Sequence, residues 1–342
     1  MPVISPTTPI NTFVDRDTIT NSTNATVADA LQVVCAWPVS GQYGAGSRVL
    51  YYILVAVCVF ARKAEWLRSA GLAAALLVPA VAALHAIVLA AVHVDGAVDM
   101  DVYGAFQLCS IGILAAPVTV RLSQTYFNDP GRNMIFLWTG LVLAGLLSLT
   151  VEFYRIETFA CSMDDFGQPM SSDPSQFNYM NAGCGLALPC NTGPAGPFSP
   201  LRRGATNEIF VIPAPDRLTF NAATLVAAAC CVPAILSLIY TWIKILEVNW
   251  KNSYGHHDEP ISGTNGATIG KMKGVNAVIR TFLSTVEVPL FGGAVIVILV
   301  FGELNFFSRQ VNFQTEPMTS IGRELNRNDA NKKPLSTWVK TA

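Results

Sequence analysis

Long, continuously apolar runs alternate with polar stretches along the chain, and six of them approach or exceed the roughly 20 residues that carry a helix through a bilayer. They lie at about 46–61, 70–92, 102–120, 134–153, 218–243 and 277–301. Residues 70–92 are almost entirely Ala, Leu and Val around His85, whereas 46–61 is the shortest run and is closed by Arg62 and Lys63. Barrel strands alternate apolar and polar positions, and these runs do not. The pattern therefore predicts an all-α fold, a polytopic transmembrane helical bundle of about six spans. The domains that follow are a polar tail at 1–45, the bundle at 46–301 and a polar C-terminal tail at 302–342. Within the bundle region lie a Cys-, Pro- and Gly-rich loop at 154–217 and a polar loop at 244–276.

Composition agrees with a lipid environment. Of 342 residues, 51% are hydrophobic and only 13% charged, against about 25% charged in a soluble domain. A formal net charge of −1 leaves no basic face for nucleic acid. No HExxH, GxSxG, GxGxxG or CxxC motif is present. The stretch GTNGATIGK at 263–271 has Asn265 where a phosphate-binding loop needs glycine and is followed by Met272 rather than Ser or Thr. Adjacent His256, His257, Asp258 and Glu259 lack the spacing of a metal site. Neither metal nor cofactor is expected; the expected partners are the bilayer and a lipophilic small molecule.

Charge orients the bundle. Arg62, Lys63 and Arg68 follow the first run, Arg121 and Arg132 the third, and Lys244, Lys251, Lys271 and Lys273 the fifth, while 94–101 has no basic residue. By the positive-inside rule those three loops are cytosolic and the N-terminus is lumenal or extracellular. The N-x-[ST] sequons at Asn21 and Asn24 fall in that translocated tail and are candidate glycosylation sites. Cys35, Cys161, Cys184 and Cys190 fall in segments assigned to the same side, enough for two disulfides with three possible connectivities. The C-terminal tail opposes this order: six spans put it outside, yet it carries Arg309, Arg323, Arg327, Lys332, Lys333 and Lys340. That basic tail leaves a seventh span open, and with it the side on which the chain ends.

Candidate chemistry collects at the lumenal mouth. Residues 93–107, HVDGAVDMDVYGAFQ, place Asp95, Asp99 and Asp101 in a short turn between two apolar runs. A hydrated acidic turn is the simplest reading. Neighbours argue for more: Asp99, Tyr103 and Gln107 recur every four residues, with Ser110 three further on, forming a polar stripe on a spanning helix. On the fourth span, Gly145 and Ser148 permit close helix approach beside Glu152, with Arg155 as a possible partner for that acid. Glu303 stands near the lumenal end of the sixth span. Arg280, Ser284 and Glu287 share a face before Pro289, a position for a kink, and pairing of Arg280 with Glu287 competes with a functional role. The 154–217 loop reads as a cap over the mouth.

Two chemistries fit. In an enzyme, a carboxyl kept protonated by burial and neighbouring carboxylates acts as general acid on a lipophilic substrate. Asp99, Asp101 and Glu152 are the candidates, with Tyr103, Phe106, Gln107 and Glu287 lining the pocket and aromatic faces stabilising a cation. In a transporter or receptor, the same acids recruit a ligand, and Gln107, Arg121, Arg280 and Glu287 mark a polar route inward. A structural membrane protein is the third reading.

The segments GAVDMDVYGAFQLCSIGILAAPVTVRLSQTYF, LAGLLSLTVEFYR and GELNFFSRQVNFQTEPMTSIG are similar to those of multipass membrane proteins of filamentous fungi, several without assigned function. The architecture also resembles the small membrane-bound terpene cyclases of ascochlorin- and ascofuranone-type biosynthetic clusters. The resemblance covers the bundle and not the tails, and assigns no residue a role. It implies acid-initiated ring closure of a prenylated, epoxidised precursor in secondary metabolism, without metal or nucleotide.

Overall fold

The computed structural model of the chain describes residues 30–60, 64–122, 129–164, 166–177, 209–253 and 289–312, together with Tyr179, Cys184, Cys190 and 199–201 in the long loop. Asn21, Asn24, Arg280, Ser284, Glu287 and the 255–273 stretch lie outside these residues.

The structure is mostly helical. Its helices are α1 (Ala45–Phe60), α2 (Glu65–Ala91), α3 (Asp101–Leu122), α4 (Asp129–Arg155), α5 (Phe220–Ser253), α6 (Pro289–Phe306) and a closing turn α7 (Arg309–Asn312). Among the described residues, four segments are long and apolar enough to cross a membrane: Ala70–Ala91, Asn133–Arg155, Phe220–Ile239 and Pro289–Phe306, with mean hydropathies of 2.4, 2.1, 2.3 and 1.9. Ala45–Phe60 is a shorter apolar helix. Leu77, Val81 and Leu84 of α2, Leu137 and Leu147 of α4, Leu225 and Leu236 of α5, and Ile296 and Val297 of α6 are exposed. Arg48, Gln107, Thr139, Glu152 and Asn305 are buried. Apolar outside with polar inside suits a lipid surround, where helices gain nothing by hiding leucine from one another.

The third apolar run is the heart of the bundle. Every residue of α3 from Asp101 to Leu114 is buried, and the helix packs on α1, α2, α4 and α5. Small residues permit that crowding. A Cβ on Gly104 would clash with the Tyr43 ring, and one on Gly112 would lie 2.5 Å from the ring of Pro79 in α2. Protein on all sides explains how this helix tolerates Gln107 and Ser110, since polar groups at membrane depth belong in bundle interiors.

A small sheet closes one end. Its centre is β1 (Leu31–Trp37), which pairs in parallel with β2 (Ala97–Asp99) and antiparallel with β3 (Phe159–Cys161) and β4 (Phe210–Pro213). β3 takes residues 31–33 and β2 residues 35–37 of β1, while β4 spans 33–36 and so lies on the other edge. Thus β1, within the stretch read as a polar tail, has both edges paired and nearly every side chain buried. Disulfides tie the long loop to this sheet: Cys35 of β1 to Cys190, and Cys161 of β3 to Cys184. The start of α1, the 92–100 connection and the ends of α4 and α6 all meet this cap.

Candidate functional site

Two local devices build the site at the junction of cap and bundle. After α2, the N–H of Ala97 donates to the carbonyl of Val94 (3.3 Å), and Gly96, at the third position of that turn, has φ of 80°. A positive φ there is what glycine supplies without strain. The turn holds His93 at the helix end, leaves Asp95 fully exposed at its tip and feeds β2 onto β1. The second device is the contact of α2 with α4, where a Cβ on Gly145 would lie 2.6 Å from that of Ala83. Two turns further along α4, this close approach brings Glu152 against His93.

His93 joins two acids. Its Nδ1 lies 2.9 Å from Oε1 of Glu152 and its Nε2 3.4 Å from Oδ1 of Asp95. The His93 and Glu152 side chains are 7% and 6% exposed. The other oxygen of Glu152, Oε2, is buried and has no hydrogen-bond partner among the described residues. A buried carboxylate oxygen left unbonded is expensive, which marks such a group as a place where a proton, water or ligand belongs. Glu152 lines a cavity of about 20 Å³ together with Trp37, Leu89, His93, Asp99 and the Ser199–Leu201 segment. A space of that size holds about one water molecule, whereas small-molecule pockets run to about 300 Å³ and more.

The structure disperses the sequence candidates. Glu152 and Asp99 share this cavity. Asp101 is buried and faces elsewhere: in the first turn of α3, where the helix dipole favours an acid, it accepts from the N–H of Ser40 at 2.6 Å, while its own N–H donates to Asp99 at 3.0 Å. Tyr103 and Phe106 belong to the packed core. The Tyr103 hydroxyl donates to the carbonyl of Leu218 at 2.7 Å, and both rings pack against Phe153. Arg155 donates to the carbonyl of Ala90 at 3.4 Å. His85 contacts the Tyr43 hydroxyl at 2.8 Å and stacks on its ring.

Gln107 belongs to a second polar cluster, built with groups on α1 and α6. Nε and Nη2 of Arg48 donate to the two oxygens of Glu303 at 2.8 and 2.9 Å. The Tyr52 hydroxyl also donates to Oε1, and the Gln107 amide does so at 3.4 Å. The guanidinium lies 3.8 Å above the Phe306 ring and donates a further bond to the carbonyl of Tyr43. Both Glu303 oxygens are taken, and α1, α3 and α6 are joined.

Only weak signs of the missing members are present in the sequence. Arg48 is a lone cation one turn into an apolar run, which implies a buried partner. His93 had only its place beside the acidic turn, and no spacing rule links it to a glutamate on another helix. No protein-family model, curated protein or solved structure matches the chain. The fold defines a class: apolar helices of membrane-crossing length under a disulfide-closed cap, with a carboxyl–imidazole centre at their junction. Beyond that class, the chemistry rests on these residues alone.

Proposed function

We propose that the chain is a six-span membrane protein with its cap on the lumenal or extracellular side, and that it is an enzyme whose general acid is Glu152. The carrying observation is the free, buried Oε2 of Glu152 in the wall of a cavity shared with Asp99. The acid comes from this geometry; the substrate, a prenylated and epoxidised lipophilic precursor, comes from the sequence resemblance. Protonated Glu152 gives its proton to an epoxide oxygen, the C–O bond opens as an alkene π pair attacks the carbon, and a ring closes. The resulting cation loses a proton to the Asp99 carboxylate, so the net reaction is an isomerisation. A prenyl chain reaches Glu152 only if the wall made by Ser199, Pro200 and Leu201 moves aside, because the cavity has room for about one water.

That size favours a second reading, a transporter coupled to protons at the same carboxyl, with the Arg48–Glu303–Gln107 cluster on the route inward. Microsomes containing the chain, supplied with prenylated phenol epoxides, should form cyclic isomers, and Glu152→Gln should lower turnover by about 10²-fold or more. Retained turnover in Glu152→Gln removes the acid assignment. Solute uptake by sealed vesicles without any conversion selects the transporter.

A further inference from the structure

We infer that Asp95 and His93 form a proton path from bulk water to Glu152. The inference rests on Glu152 being the proton-donating group, and not on which substrate receives the proton. An isomerisation that starts at Glu152 and ends at Asp99 leaves Glu152 without its proton and Asp99 with one too many, so each turnover requires a reset. Likewise, a proton-coupled carrier must load and unload that carboxyl. The cavity beside Glu152 is lined on its other sides mainly by the apolar groups of Trp37, Leu89, Pro200 and Leu201. Oε1 of Glu152 is in contact with a ring whose far nitrogen lies 3.4 Å from a fully exposed carboxylate.

Imidazole is suited to this position, since it takes a proton at one nitrogen and releases another from the second. A proton arriving on Asp95 passes to Nε2, the Nδ1 proton moves to Oε1 of Glu152, and reorientation of the ring restores the starting tautomer. No bond other than N–H and O–H changes. Among the described residues, the charged groups around His93 are Asp95 and Asp99 on its own connection and Glu152 and Arg155 on α4. Arg155 is engaged with the carbonyl of Ala90, and Ser199, Pro200 and Leu201 bring no charge. The path thus runs from one carboxyl to another through a single imidazole.

The test is infrared spectroscopy of the full chain in proteoliposomes after a pH jump, following the carboxyl band that Glu152→Gln abolishes. His93→Ala should slow proton equilibration at that band by about 10²-fold or more, and added imidazole should restore the rate. Asp95→Asn should slow it by a smaller factor. An unchanged rate in His93→Ala overturns the path. So does a slowed rate that imidazole leaves slow but His93→Gln, which can still hydrogen-bond Glu152, returns to wild type, for the contact is then only structural. If Glu152→Gln abolishes no band, the path loses its terminus and is overturned together with the acid assignment; the missing band distinguishes that failure from failure of the path alone.

Discussion

Glu152 and Glu303 are both largely buried carboxyls near the cap end of apolar helices, and their surroundings differ in kind. Glu303 receives Arg48 through two bonds, with Tyr52 and Gln107 adding two more, so both its oxygens and its charge are compensated. Glu152 receives one ring nitrogen, has a free oxygen, and shares its cavity with a second acid. The first arrangement is closed and joins helices. The second is open and stores an unmet bond, the condition under which a side chain does chemistry.

Stability should separate the two most sharply. Arg48→Leu leaves the Glu303 charge buried and unpaired, and such losses run to about 3–5 kcal/mol. Thermal unfolding in detergent should show this drop, while Arg48→Leu with Glu303→Leu should recover most of it; by contrast, Glu152→Gln should cost about 1 kcal/mol. A Glu152→Gln protein as unstable as Arg48→Leu would erase the contrast.

Next in size are the disulfides over the open carboxyl. Cys161→Ser, which frees Cys184 in the long loop, should destabilise the cap by about 2–4 kcal/mol. The loss should be seen as earlier proteolysis of the 162–209 region, with the Arg48–Glu303 pair unaffected. Gly145→Val drives a side chain into Ala83 and should cost about 1–3 kcal/mol. Because that contact sets α2 against α4, it should also separate His93 from Glu152, visible as altered histidine ring signals in labelled protein.

The smallest effect belongs to a third acid, in open water. Asp173 accepts from the backbone N–H and hydroxyl of Ser175, and these bonds hold its carboxyl below the ordinary value. A lowered folded pKa contributes stability at neutral pH that is lost as pH falls through that lowered value. Asp173→Ala should flatten this acid limb slightly in pH-dependent unfolding and leave Glu152 unchanged.

The helices were legible because a continuous apolar run needs only its own length to be read. α3 was legible as a helix, but its central place was not, since the glycines that admit Tyr43 and Pro79 look like any small residues until their neighbours are known. β1 was missed for a physical reason. LQVVCAW has no alternation because nearly all its side chains are buried and both edges are paired, and a short apolar run of that kind carries no period. Its parallel register with Ala97–Asp99, some sixty residues away, has no local signature. That pairing and the Gly96 turn are what carry Asp99 and His93 to the same place. The acidic mouth was therefore visible in the sequence, while the histidine that completes it, and the turning of Asp101 toward Ser40, depended on contacts between distant segments.

The central contrast can be read in one experiment, pH-difference infrared spectra of the protein in lipid, recorded for wild type, Glu152→Gln and Glu303→Gln. The account predicts a protonated-carboxyl band that disappears in Glu152→Gln and persists in Glu303→Gln. A band that survives Glu152→Gln and is lost in Glu303→Gln would contradict it.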